Sequence, residues 1–494
     1  MSTITLDRPL SWQDAAAVAD GAEFALTQAT WQRLAHGRAI VEAIVNRGLL
    51  AYGVNTGVGA LCNVLVDRPQ QRQLSRNIIM SHAVGVGSPL SVGETRAIMV
   101  AAINNYAHGR SGVRPTLVEQ MLALLAHDCI PEVPSLGSVG YISHMAHIAL
   151  VLIGEGFATY QGRRLTGGQA LVAIGREPLV LEAKEGLSLV NGSPCVTGLA
   201  SLALARASRL ADWADVIAAM TFENLRGQPV AFDAVSLSLR ASPGMQEVGG
   251  RLRALLDGSA ILAAATGRQT QDPLSLRAVP HVHGAVRDAM DTIGTTINLE
   301  LASFTDNPAV MGTPEAPRVY SQAHAVAPGI GLAMDQLGIA VAELASMAER
   351  RIDRLVNPLV SGLPPFLAAD SGVASGFMIA QYTAASLVSR NRRLASPASL
   401  DGGITSALQE DHLTHATPAA LKAHDILDNA EHILAIELLA ATQAYDLQEG
   451  GLARASGTDR FYQSVRALLP PYRDDRPLSG DIVLARSILR QKPQ

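Results

Sequence analysis

The stretch from Gly329 to Leu355 constrains the fold most. It contains no proline, and Leu337, Val341, Leu344, Ala348 and Leu355 recur at threes and fours along it. That spacing draws an apolar stripe down one side of a long helix. A seam of such length belongs in a helical bundle and at subunit contacts rather than around a cofactor. Asn357-Pro358 is its stop. A second long helix is predicted from Thr417 to Leu447, with Thr417 as cap, Pro418 in the first turn and Gly450-Gly451 beyond its end. Shorter helices are predicted over 27–46, 95–108 and 375–393, and the chain from Thr197 onward is rich in Ala and Leu. No apolar–polar alternation runs far enough to predict much sheet. The expected fold class is mainly α, with a mixed N-terminal domain over residues 1–195 carrying the loops and a helical bundle domain over 196–494.

Composition narrows the classes of function. With 48% hydrophobic residues in a chain of 494, a large core can be buried. A net charge of −5 leaves no basic footprint for nucleic acid. Cys62, Cys129 and Cys195 are odd in number and lack metal-ligand spacing, so they read as reduced thiols and no metal is expected. Met1 to Ala15 has no basic patch followed by an apolar run. The apolar run Met145–Ile153 is too short to span a bilayer and is interrupted by His147. A cytoplasmic globular protein acting on a small molecule is the expectation, with neither membrane nor nucleic acid as partner.

Chemistry-bearing residues sit in glycine-rich loops between the helices. Tyr52-Gly53-Val54-Asn55-Thr56-Gly57-Val58-Gly59 cannot make a stable helix and leaves Tyr52 at the mouth of a loop. His82 borders the turn Ala83-Val84-Gly85-Val86-Gly87, and Pro134-Ser135-Leu136-Gly137-Ser138-Val139-Gly140-Tyr141 runs into an apolar helical segment, Ala146 to Gly154. Asn191, in Leu189-Val190-Asn191-Gly192, can donate and accept hydrogen bonds. Gln271-Asp272-Pro273 leads to Arg277, whose fork suits a carboxylate, and Glu410 lies in Gln409-Glu410-Asp411-His412. Taken singly, each has a plainer reading. Tyr52 is then a packed aromatic, His82 a satisfied polar group, Arg277 half of a surface ion pair, and Glu410 part of a solvated acidic loop.

In order along nearly the whole chain, these words resemble the aromatic amino acid and histidine ammonia-lyase family. The resemblance implies an ammonia-lyase-like fold and a homotetramer whose sites are shared between subunits. It implies Tyr52 as the proton-abstracting base and Asn191 near the substrate amine and carboxylate. Gln271 and Arg277 carry over with a carboxylate grip for Arg277, and Met378 lines the substrate. His82 and Glu410 match the residues that face the imidazole ring in histidine-specific members.

The chain also departs from that family. Where members carry an Ala-Ser-Gly triad after Gly-Ser-Val-Gly, which cyclises into an electrophilic methylidene-imidazolone, Gly140 is followed by Tyr141. Leu274 replaces a tyrosine, and Ala323 in Gln322-Ala323-His324 replaces a phenylalanine. A site without the electrophile suits a substrate nitrogen that needs no activation. The expectation is therefore no cofactor and a match to the ergothionase branch of the family, which eliminates trimethylamine from the histidine betaine ergothioneine to give thiourocanate. Tyr141 and Tyr320 are the aromatic faces expected against the trimethylammonium. A phenolate at Tyr52 needs its pKa brought down from about 10, which nearby positive charge can do. Two other readings stand beside this one. The first is a histidine ammonia-lyase with an autocatalytic methylidene-imidazolone whose triad is not written among these residues. The second is a non-catalytic helical relative, which has no use for this set of side chains.

Overall fold

The computed structural model describes residues 3–57 and 66–493. Val58, Gly59 and Cys62 lie outside the described residues. The fold is mainly helical, and its longest elements are Pro194–Asn224, Val279–Leu301, Pro328–Val356 and Ala416–Asp446. In the Pro328–Val356 helix, Leu337, Val341, Leu344, Ala348 and Leu355 are all fully buried, while Leu332 and Ile339 stay exposed. Burying each Leu or Val side chain stabilises by roughly 1.5–3 kcal/mol, so this stripe holds the helix in place. By length and composition the same helix is apolar enough to cross a membrane, but most of its apolar window is buried within the protein, as in a core helix.

Several boundaries differ from the sequence reading. The Ala416–Asp446 helix begins before Thr417, so Thr417 lies inside the first turn instead of capping it. Its hydroxyl accepts a bond from Ser138 Oγ at 3.3 Å. The third predicted short helix starts at Met378, because the Ser375 and Gly376 amides are held by the Asp475 carboxylate at 2.7 and 3.0 Å. The segment after Pro308 contains an antiparallel hairpin, Ala309–Gly312 with Pro317–Tyr320, whose strands are too short to show a period in sequence.

Two compact units divide the chain. The first comprises Met1–Ala205, Ile293–Asp335 and Pro397–Leu421. It contains every named strand among the described residues, in four small sheets. Part of its core is built by Ile40, Val41 and Ile44 of the Gln28–Arg47 helix, with Ala51, Val54 and Val310. The second unit, Arg206–Thr292, Gln336–Ser396 and Lys422–Gln494, has no named strand among its described residues.

Candidate active site

The tyrosine loop is set by its own side chains. The Gln28–Arg47 helix stops at Gly48, in the left-handed conformation. Asn55 Oδ1 then accepts from the Ala51 amide at 2.9 Å, Asn55 Nδ2 donates to Leu49 O at 3.0 Å, and Thr56 Oγ1 accepts from the Gly53 amide at 3.0 Å. Val54 anchors the turn in the core and leaves Tyr52 half-buried. Gly53 has φ +65°, and a Cβ there would lie 2.5 Å from Leu187 Cδ2 and 3.0 Å from Pro308 Cδ. Only glycine lets the loop press this closely on the segments that carry Asn191 and Asp306.

Those two segments form one buried polar cluster. Lys184 Nζ donates to Ser188 Oγ at 2.9 Å and pairs with Asp306 Oδ2 at 3.1 Å, with both charged side chains fully buried. Ser188 Oγ donates to the same carboxylate oxygen at 2.8 Å. Asp306 Oδ1 accepts from the Asn307 amide at 2.7 Å and faces Asn191 Nδ2 at 3.4 Å; that nitrogen also donates to Asn307 O at 2.7 Å. Burial pushes the Lys184 pKa down, against the opposing pull of Asp306. Next to Lys184, Glu185 receives the Arg114 guanidinium through both oxygens, at 2.9 and 2.7 Å. The sequence reading gave Lys184, Ser188 and Asp306 no role. A lysine beside a glutamate looks like a solvated pair, and nothing local reveals an aspartate at residue 306 as its partner.

A second cluster joins three loops of the first unit. Strand Val86–Pro89 pairs with Pro134–Leu136, which brings the His82 turn to the Gly137–Gly140 run. His82 Nδ1 donates to Ile78 O at 2.7 Å, so Nε2 carries the lone pair, and burial lowers its pKa and favours the neutral ring. At the other end of the run, Gly140 has φ +139°, and a Cβ there would sit 2.5 Å from Thr414 Oγ1. The Tyr141 phenol donates to Glu410 Oε2 at 2.6 Å. Burial, reinforced by Glu410, pushes the Tyr141 pKa well up and keeps the phenol protonated. Backbone bonds between Thr405 and Glu410 fix the base of that carboxylate.

Beyond Tyr141 the backbone is strained. Ile142 and Ser143 both have φ +68°, and the His144 amide bonds back to Ile142 O at 3.0 Å around Ser143. This is the rarer γ-turn form, and a β-branched residue at positive φ is an outlier of the kind that gathers at functional sites. His144 Nε2 donates to Ser135 O at 2.9 Å. Its Nδ1, Ser143 Oγ and Thr414 Oγ1 are buried without a partner among the described residues.

The residues present do not fit the family's prosthetic group. Its precursor needs a central serine followed by glycine, whereas Gly140 is followed by Tyr141-Ile142-Ser143 and the serine-centred triplet ends in His144. Ala-Ser-Gly does occur at 374–376 and 455–457. The first is tied to Asp475 and the second runs into the Ser456–Leu468 helix; both belong to the second unit, whereas the Gly137–Gly140 run belongs to the first.

Gln271, Arg277 and Met378 belong to the second unit. There the Gln271 amide oxygen, turned toward Arg277, accepts from its Nε at 3.0 Å and Nη1 at 2.7 Å. Met378 opens the Met378–Leu394 helix and is half-buried. Tyr320, in the first unit, ends its hairpin strand with the ring exposed.

This mainly helical scaffold is that of the carbon–nitrogen lyases. The chain belongs to the aromatic amino acid lyase family, whose defining pattern matches residues 10–467. It is 43% identical to a histidine ammonia-lyase of Anaeromyxobacter dehalogenans, over 98% of this chain and 97% of that one. Among solved structures, the histidine ammonia-lyase of Trypanosoma cruzi superposes with a TM-score of 0.91 at 35% identity, over 99% of this chain and 93% of that one. The ergothioneine-degrading ergothionase of Treponema denticola gives the same TM-score at 26% identity, over 99% of each chain.

These findings correct the expected reaction. Trimethylamine release from ergothioneine was inferred from the missing triad, with Leu274 and Ala323 read against ordinary ammonia-lyase chemistry, and losing an electrophile does not by itself specify which amine leaves. Fold similarity is equal for the two kinds of enzyme, so identity along the whole chain decides, and it favours the histidine ammonia-lyases over ergothionase.

Proposed function

We propose that this chain is a histidine-directed carbon–nitrogen lyase, converting L-histidine to the unsaturated acid urocanate with release of ammonia. The observation that carries the reading is the 43% identity to a histidine ammonia-lyase across nearly the full chain. It is supported by a neutral His82 and a Glu410 held by Tyr141, both on loops that meet at the Gly137–Gly140 run. A neutral imidazole nitrogen and a carboxylate can together read the two nitrogens of a histidine ring. In this reading Tyr52 takes the β-proton, the Cα–N bond breaks with its electrons leaving on nitrogen, and Arg277 holds the carboxylate. No step runs through a methylidene-imidazolone, since residues 141–143 do not supply one. The assembly is a homotetramer with sites shared between subunits, placed in the cytoplasm; light scattering of a stable monomer at micromolar concentration would refute the assembly.

Incubation with L-histidine, L-phenylalanine and L-tyrosine separately tests the substrate. New conjugated ultraviolet absorbance is expected with histidine alone. Tyr52→Phe should slow it by on the order of 10²–10⁴-fold. Equal absorbance from phenylalanine contradicts the ring reading. A second form of the proposal, favoured by the same full-length identity, keeps a cyclised triad between Gly140 and Tyr141 as a modified residue. An intact mass above the 51.9 kDa of this chain, with activity abolished by borohydride, would establish it.

A further inference from the structure

Asn191 has one amide nitrogen and one amide oxygen, and the structure commits them differently. The nitrogen is spent inward, on Asn307 O at 2.7 Å and toward Asp306 Oδ1 at 3.4 Å. The oxygen receives no hydrogen bond from any described residue and is not among the buried unpartnered atoms. Reversing the amide would set oxygen against a carboxylate and a carbonyl, so its orientation is chemically fixed. Asp306 is itself immobilised by Lys184, Ser188 and the Asn307 amide.

We infer that Asp306, held by Lys184 and Ser188, is a positioning residue that turns the Asn191 carbonyl toward the substrate, where it accepts an N–H of the α-ammonium. The inference rests on the histidine reading above and adds how the amine is selected: the site demands a nitrogen that carries hydrogen. A quaternary nitrogen has none to give. A buried ion pair suits this task because it fixes geometry even where its net contribution to stability is small.

The test uses full-length protein carrying Tyr52→Phe, so that ligand survives during calorimetric titration. L-Histidine is compared with imidazolepropionate, which lacks only the amine. Two double variants are then added. Lys184→Met with Asp306→Asn removes both charges but leaves an amide oxygen free to face Asn191. Lys184→Met with Asp306→Leu removes both charges and the acceptor. The first should keep the preference for histidine; the second should lose it by roughly tenfold or more, as expected for a hydrogen bond to a charged group. Thermal melts confirm folding, and Asp306→Ala replaces the leucine if that variant does not fold.

A leucine or alanine pair that keeps the full preference overturns the positioning role, as does an asparagine pair that loses it. If the parent binds histidine no more tightly than imidazolepropionate, amine reading by Asn191 fails. If the parent binds neither, the histidine reading itself fails and takes this inference with it.

Discussion

The two polar clusters of the first unit are built on opposite terms. Around Lys184 and Asp306 each named polar group has a partner among the described residues, except the Asn191 oxygen. Around Tyr141 the Glu410 contact is made, but Ser143 Oγ, His144 Nδ1 and Thr414 Oγ1 are buried without partners among the described residues, and two residues hold positive φ. A saturated network has one low-energy arrangement and presents one atom outward. A part-satisfied one keeps binding capacity in reserve, at a cost in stability. The saturated cluster thus acts as a fixed reference, and the loop after Gly140 holds the unspent polar groups.

The largest effect expected from this contrast is at Lys184. Lys184→Met leaves the Asp306 carboxylate buried and unpaired, which costs about 3–5 kcal/mol; denaturant unfolding reads it directly. A loss below about 1 kcal/mol would mean water reaches Asp306 and the network is not the rigid one described. At the other cluster, Tyr141→Phe removes one bond to a carboxylate that is only half-buried. About 1 kcal/mol of stability should go, together with a rise in KM for histidine larger than any change in kcat. Unchanged KM would detach Glu410 from substrate recognition.

Acid should act in part through the histidines around the Gly137–Gly140 run. Burial depresses the pKa of His82, His144 and His147 in the folded chain. The unfolded chain therefore binds more protons as pH falls. Their contribution is complete above the unfolded pKa of about 6.5 and is lost as pH drops through the lower folded values. The thermal midpoint should decline as pH is lowered below about 6.5, and replacing His144 by Gln should flatten that decline. An unaltered slope would assign the acid sensitivity to other groups. The smallest effect is expected at Thr414. Its hydroxyl has no partner among the described residues, so Thr414→Val should change stability by no more than about 0.5 kcal/mol, or raise it slightly. A loss of about 1–3 kcal/mol would show that an ordered water or ligand already satisfies that oxygen.

Sequence made the helices legible because their signal is local. The Gly329–Leu355 stripe, the break at Asn357-Pro358 and the tyrosine loop all follow from residues within a few turns of each other. Long-range pairings were not legible. Glu410 was expected in the site by resemblance and Tyr141 as an aromatic face toward a trimethylammonium, but their direct bond, which spans 269 positions, was not. Lys184 and Asp306 are 122 apart and each sits in an unremarkable polar word. The positive φ at Ile142 was hidden for a different reason: a β-branched residue argues against that conformation, so only tertiary packing imposes it. The reaction was misjudged because a local absence was weighed above similarity distributed along the chain.

The most direct test follows both products from one substrate. Purified protein is incubated with L-histidine while ammonia and the conjugated acid are measured together. They should accumulate in equal amounts, and Tyr52→Phe should suppress both alike. No unsaturated acid from L-histidine, from a protein shown to be folded and to have its full mass, would contradict it.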